Sequence, residues 1–240
     1  MFKKIKNFLK RKKILNLAKK DLVLVPEFQS FSNENKHKLL NIREHFWQDN
    51  MGRFKERAGL FYIASRLKNP KIIVEIGSWV GVSTCYIAAG LAYNSKTHIF
   101  GVDTFKGSTI NEAASVAWNK SVNNMGGSTL NRFIENITST GFEKKISPIV
   151  SESCAAAKKW KGEIDFLFID GDHFYDSVKK DFDAWFPHLA SEGVLAFHDY
   201  DEKHPEVVRF VNEVKVTHLS KLKIKRFDSI ICFYPNPVNI

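Results

Sequence analysis

The sequence predicts a doubly wound α/β fold: a seven-stranded sheet, mostly parallel, with an antiparallel C-terminal hairpin and helices on both faces. Three observations predict it. Five short apolar segments rich in β-branched and aromatic residues read as strands covered on both sides: "KIIVEIG" (71–77), "HIFGVDT" (98–104), "ISPIVS" (146–151), "DFLFIDG" (165–171) and "GVLAFHD" (193–199). Segments of helical period separate them, an alternation that builds βαβ units with right-handed crossovers. Two closely spaced strand patterns, "KLKIKRF" and "SIICFYP", then supply the hairpin.

The first element is basic. Residues 1–20 carry Lys3, Lys4, Lys6, Lys10, Arg11, Lys12, Lys13, Lys19 and Lys20 and no acid, so of the net charge of +10 residues 21–240 keep 10 − 9 = +1. Phe2, Ile5, Phe8, Leu9 and the Ile14 to Leu17 group interrupt these lysines at roughly helical spacing. That pattern fits a basic amphipathic arm on an anionic membrane surface, against a solvated or frayed arm as the plainer alternative. The expected organisation is this arm, 1–20, followed by one domain, 21–240.

"ENKHKLLNIREHFWQ" and "RFKERAGLFYIASRLK" read as helices ahead of the first strand. "VSTCYIAAGLAYN" follows that strand, and "STLNRFIENITSTG" precedes the third. "FYDSVKKDFDAWFPHLASEG" separates the fourth from the fifth, with Tyr175, Val178, Phe182 and Trp185 as its apolar stripe, and "HPEVVRFVNEV" follows the fifth. The long polar stretch 105–129, with Trp118 and Met125 among amides, reads as a lid or acceptor loop.

Composition bounds the rest. A content of 44% apolar and 26% charged residues is that of an ordinary globular domain. Cys85, Cys154 and Cys232 lie in apolar segments without CxxC spacing, so packing explains them better than disulfides or zinc, and they fit a reducing compartment. No apolar run reaches the length of a signal peptide or a bilayer span, so a cytoplasmic location is expected, peripheral on the inner membrane face if the arm binds lipid. The near-neutral body disfavours nucleic acid. Oligomeric state is not encoded in these patterns.

In open α/β sheets ligands bind beyond the carboxyl ends of the strands. Those ends are Glu75 and Gly77, Asp103, Ser151 to Ser153, Asp170 to His173, and His198 with Asp199 and Asp201. "VEIGSWVGVST" places Glu75, Gly77 and Gly81 as ExGxxxG running from strand into helix, and lacks the GxGxxG turn that a nicotinamide dinucleotide requires. Asp103 is placed to accept hydrogen bonds from ribose hydroxyls. The pattern resembles motif I of class I S-adenosylmethionine (SAM)-dependent methyltransferases, whose Rossmann-like sheet ends in the same kind of hairpin. That resemblance implies SAM as cofactor, with Glu75, Gly77 and Ser78 facing its methionine part, Gly81 closing the turn, Asp103 on the ribose, and Glu152 with Ser153 on the adenine side.

"FIDGDHFYDSVKKDFDAWFPHLASEGVLAFHDYD" resembles the small bacterial methyltransferases related to the macrolide-sugar and aminocoumarin-sugar O-methyltransferases, over roughly residues 55–235. It implies methyl transfer to a hydroxyl of a sugar or glycan precursor, assisted by Mg²⁺ or Mn²⁺. Asp170 would be the first metal ligand, and Asp199 with His198 or Asp201 would supply the rest. The departure is His198, where relatives often carry a carboxylate, because Mg²⁺ prefers oxygen to imidazole. A base must take the hydroxyl proton: His173 is the first choice, since imidazole titrates near neutrality, and Asp172 the second. His188, His204 and His218 lie outside these clusters and read as surface residues. Turn-forming or helix-capping roles for Asp170 and Asp172, and a non-catalytic tethered module that keeps the fold, are the competing readings.

Overall fold

The structure is a computed structural model and describes residues 2–48, 53–91, 96–107, 113–236, 238 and 240. The side chains of residues 1–5 and of Trp118, and the segment 108–112 of the expected lid, lie outside the described residues.

Four helices precede the sheet: α1 (Phe2–Leu24), α2 (Pro26–Gln29), α3 (Asn33–His45) and α4 (Phe54–Arg66). Strands and helices then alternate as β1 (Ile72–Ile76), α5 (Val82–Gly90), β2 (His98–Asp103), α6 (Ala113–Asn124), α7 (Leu130–Ser139), β3 (Ile146–Val150), α8 (Ser153–Ala157), β4 (Ile164–Ile169), α9 (Tyr175–Trp185), β5 (Leu189–Phe197) and α10 (Pro205–Thr217). The hairpin β6 (Lys223–Phe227) and β7 (Ile230–Tyr234) completes one seven-stranded sheet of order β3-β2-β1-β4-β5-β7-β6. β1 pairs in parallel with β2 and β4, and the extensions to β3 and β5 are also parallel, whereas β7 runs antiparallel to both β5 and β6. Strand order therefore reverses between β1 and β4, at the centre of the sheet.

Side chains alternate across each strand, so the sheet carries two cores. Ile73, Phe166 and Phe168 pack on one face with Phe61, Tyr86 and Ile87 of α4 and α5. Val74, Leu167 and Ile169 face the other way, onto Phe182 and Trp185 of α9 and Phe210 of α10. Burying each of these aromatic side chains contributes about 2–3 kcal/mol, before the entropy of ordering it is subtracted. Pro148 sits in β3, an edge strand, where a missing N–H costs no ladder bond to an outer neighbour.

Three boundaries differ from the sequence reading. β5 begins at Leu189 rather than Gly193: Pro187 ends α9 in a 3₁₀ turn (Phe186–His188), and the chain extends at once to pair Leu189 with Ile164 ahead of a bulge. The stretch 105–129 is not all loop, because its alanine-rich part forms α6, anchored by buried Val122 and stopped at Gly126 and Gly127. α1 runs unbroken past residue 20, with Ala18 and Leu22 buried, so the arm and the domain share one helix.

Candidate active site

At the first strand end, Glu75 is fully buried. Its Oε2 accepts hydrogen bonds from Ser78 Oγ, at 2.8 Å, and from Thr84 Oγ1 in the first turn of α5. Its Oε1 has no hydrogen-bond partner among the described residues. Burial pushes this carboxyl up to about 7, against the hydroxyls of Ser83, Thr84 and Ser78 that favour the charge. A fully buried carboxylate oxygen without a donor is costly unless a ligand supplies one. Gly77 follows with φ 83°, and a Cβ there would stand 2.0 Å from the Asp170 carbonyl oxygen, so only glycine lets the ends of β1 and β4 touch. Gly81, the N-cap of α5, likewise leaves room for the Phe133 ring, which a Cβ would meet at 2.7 Å.

Asp103 ends β2 and ties down the same turn. Its Oδ2 accepts from Trp79 N at 2.7 Å and its Oδ1 from Phe105 N at 2.6 Å, and burial still raises its pKa above the usual carboxylate value. Each oxygen keeps a lone pair for a further donor. Thr129 and Asn136 of the α7 region donate to the carbonyls of Trp79 and Val80 and hold the turn from the other side. Beyond β3, Glu152 is the exposed N-cap of α8, and Ser153 Oγ accepts from Trp185 Nε1 at 2.9 Å, so the Ser153 hydroxyl is engaged toward α9.

The second cluster lies across Gly77. His198 Nδ1 stands 2.8 Å from Asp170 Oδ1 and 3.1 Å from Asp199 Oδ2, while its Nε2 is 3.7 Å from Glu56 Oε2. Neither Nδ1 contact has hydrogen-bond alignment, so the attraction is chiefly ionic. Burial would lower the His198 pKa, but the Asp170 charge beside it prevails and holds the imidazole well above its usual value. His173 Nε2 pairs with Asp199 Oδ2 at 2.8 Å, and that contact outweighs burial and raises the His173 pKa. Asp199 itself lies well below the usual carboxylate range, because its two imidazole partners outweigh its burial, and it sits at φ 57°, a left-handed conformation that aims it between them. Asp172 accepts from the His173 backbone N–H at 2.8 Å and shapes the loop.

The ligand atoms of Asp170, His198 and Asp199 lie within 4.8 Å of one another, as do those of His173, Asp199 and His204. Asp201 is outside both sets: it pairs with Arg53 Nη2 at 3.1 Å and His204 Nδ1 at 3.0 Å. The structure thus brings together Asp170, His173, His198 and Asp199, and pairs Asp201 instead with Arg53 and His204.

Several members were not visible in the sequence. Glu56, from α4, reaches His198 and accepts from Ser229 Oγ at 2.7 Å, and with these partners its carboxyl lies at about 2 despite burial. Arg53 joins Glu56, Asp201 and Asp228. His204, read as a surface residue, is half-buried at the start of α10, with its ring 4.6 Å from that of His173. Pro205 fixes the start of α10 and hence the place of His204, a local signal that the sequence did contain.

Comparison with known proteins bears on the family and the fold. Residues 74–200, just over half of the chain, match the family model described as a methyltransferase domain. An uncharacterized protein of Sinorhizobium fredii is 31% identical over 132 residues, which are 54% of this chain and 13% of that protein. An uncharacterized protein of Acanthamoeba polyphaga mimivirus is 37% identical over 76 residues, 30% of this chain and 34% of its own. The chain therefore spans about a third or less of the curated relatives it matches. Among solved structures, the O-methyltransferase NovP superposes with a TM-score of 0.61 at 14% identity, over 76% of this chain and 80% of that one. A Bacillus cereus O-methyltransferase in complex with SAH gives 0.57 at 12%, over 93% and 99%. The TDP-rhamnose 3'-O-methyltransferase CalS11 of calicheamicin biosynthesis gives 0.52 at 16%, over 93% of both chains. With the strand order 3-2-1-4-5-7-6 and a matching segment that runs from β1 through the end of β5, the chain belongs to the methyltransferase-domain family.

Proposed function

We propose that the protein is a SAM-dependent O-methyltransferase acting on a hydroxyl of a sugar or glycan precursor. The observation that carries the reading is the contact of Gly77 with Asp170, which sets the glycine turn of β1 directly against the acid and imidazole cluster of β4 and β5. The unpartnered Oε1 of Glu75 suits the ammonium of a methionine moiety, and Asp103 keeps acceptor capacity for ribose hydroxyls. Glu152 and Ser153 border the adenine side. The likeness to a TDP-rhamnose 3'-O-methyltransferase supports a sugar acceptor.

SAM supplies an electrophilic methyl group on a sulfonium. Asp199 orients His173 through Nε2, which leaves Nδ1 of that ring to take the acceptor proton, with Asp172 shaping the loop beneath it. With SAM bound, Nδ1 of His173 would take the proton of the acceptor hydroxyl as its oxygen received the methyl group, and Asp199 would stabilise the imidazolium so formed. Holding the acceptor hydroxyl and the methyl donor in place would be the main contribution of such a site.

Asp170, His198 and Asp199 fit a divalent cation, and the imidazole in the set favours Mn²⁺ or another transition ion over Mg²⁺. When bound, such an ion would stabilise the alkoxide form of the acceptor. A metal-independent reading is favoured by one observation: His198 lies among Asp170, Asp199 and Glu56 and can itself be the resident positive charge.

Calorimetric titration with S-adenosylhomocysteine, with and without Mn²⁺ or Mg²⁺, tests these readings together with turnover on nucleoside-diphosphate deoxysugars. Binding that Asp103→Ala weakens by about 10–100-fold supports the cofactor assignment. A metal event lost in Asp170→Ala selects the metal-assisted route, and turnover in chelator selects the other. Absence of any cofactor binding would overturn the proposal.

A further inference from the structure

We propose that the outward face of α1 docks on an anionic lipid bilayer and holds the protein peripherally at a membrane. Among the described residues no helix is long and apolar enough to cross one, so the contact is interfacial. At about 100° per residue, Ala18 and Leu22, the buried residues of α1, point roughly opposite to Leu9. Leu9 and Val23 point outward within about 40° of each other, and they are 57% and 67% exposed. Lys13 and Lys20, with Lys6 beside them, flank this seam on one side, and Lys12 and Lys19 on the other, all exposed.

The helix is fixed to the body by its inner face and by the Arg11 to Glu44 ion pair at 2.6 Å, so the lysines and the seam are presented in a set orientation. Lipid is favoured over nucleic acid by that seam: phosphodiester contacts need the charge, whereas exposed leucine and valine between two lysine rows gain only from an apolar phase. Residues 21–240 carry a net charge of only +1, so the excess of positive charge is concentrated in α1. α1 also leads straight to the catalytic edge. Phe28 of α2 stacks on Phe227 with ring centroids 6.4 Å apart, next to Asp228, which pairs with Arg53.

The test is co-sedimentation of the full chain with phosphatidylcholine vesicles, with and without phosphatidylglycerol, over rising salt. The expected result is binding to the anionic vesicles only, weakening as salt rises. The triple variant Lys6→Glu, Lys13→Glu, Lys20→Glu should lose at least about a hundredfold in affinity, at about 1 kcal/mol for each charge near the surface. Leu9→Ser with Val23→Ser should lose roughly tenfold. Both variants alter exposed residues and should keep the circular dichroism and S-adenosylhomocysteine binding of the parent, which separates loss of docking from loss of fold. Equal binding to neutral vesicles, no binding at low salt, full binding by the triple variant, an unchanged serine variant, or tight binding to RNA without vesicle binding would each overturn the proposal.

Discussion

The two halves of the site are built in opposite ways. The cofactor turn is local: Glu75, Gly77, Ser78, Gly81 and Thr84 lie within one βα unit, and Asp103 ends the next strand in the sheet. The chemical cluster gathers Asp170 and His173 after β4, His198 and Asp199 after β5, and Glu56 from α4, with Ser229 of the hairpin hydrogen-bonded to Glu56 across 173 residues of sequence. The first half depends on backbone approach and on a carboxyl kept near neutral by burial. The second depends on charges that hold one another in place. On the proposed function, recognition would therefore be rigid and intolerant of volume, whereas reactivity would depend on a set of ionisable partners that fail together.

The sharpest way to separate them is Gly77→Ala, which strikes the one contact that the two halves share. A φ of 83° and a Cβ 2.0 Å from the Asp170 carbonyl force the strand ends apart. A loss of about 3 kcal/mol or more is expected, a fall of roughly 6–12 °C in melting temperature, with cofactor binding and turnover lost together. A melting temperature within about a degree of the parent would show that the β1–β4 contact is not tight.

A crossed pair of substitutions comes next. Asp199→Ala removes the carboxylate from His173 and His198, and kcat should fall by about 10²–10⁴ while S-adenosylhomocysteine affinity stays within about threefold. Asp103→Ala should show the reverse, an affinity loss of about 10–100-fold with kcat at saturating SAM little changed. Titration calorimetry and steady-state kinetics on both variants read the pattern, and equal effects on both parameters in both variants would erase the division.

The division also explains what could be read in advance. Most of the β strands were legible because each is largely apolar, with the charged β6 (KIKRF) read as a strand beside apolar β7, and Glu75, Asp103, Asp170 and Asp199 because a carboxylate at the end of an apolar run has no packing reason to be there. β5 began earlier and α6 was missed because the composition around Pro187 and within 105–129 carries weak period signals. Glu56 was illegible for a different reason. It occupies the third position of α4, where it also accepts the Arg53 backbone N–H at 2.7 Å, so the sequence displays only its capping role. Its contact with His198 exists only after α4 packs over the β5–β7 side of the sheet, a non-local event with no sequence period.

Among the described residues, the two buried glutamates give a quieter comparison. Glu56, held at about 2 against an ordinary 4.5, contributes stability that is complete above about pH 4.5 and is lost as pH falls toward 2. Glu75, held at about 7 against 4.5, has the opposite sign: its burial costs nothing below about pH 4.5 and increasingly destabilises the ligand-free protein as pH rises toward 7. Glu56→Gln should therefore be destabilising by about 2 kcal/mol near pH 7, with the gap to the parent narrowing below 4.5. Glu75→Gln should be as stable as the parent near pH 4.5 and more stable, by about 1 kcal/mol, at pH 8. Urea unfolding across that range checks both, and parallel pH profiles for the two variants would contradict the opposed environments.

The smallest effect is expected at Asp201, and it decides where the chemical half ends. Its carboxylate is 15% exposed, but one of its partners, the Arg53 guanidinium, is 49% exposed, and ion pairs this open to water contribute less than about 1 kcal/mol. Arg53 would still hold Asp228 and Glu56 after the substitution, and His204 would still lie 3.4 Å from Asp199. Asp201→Asn should thus leave turnover within about threefold and stability within about 1 kcal/mol. If metal affinity, read by titration of Mn²⁺, nevertheless drops with this variant, the ligand set extends from Asp199 to Asp201, and the loop after β5 must rearrange to close on the ion. Unchanged affinity fixes the boundary at Asp199 and leaves Asp201 as the anchor that steadies His204 against α4.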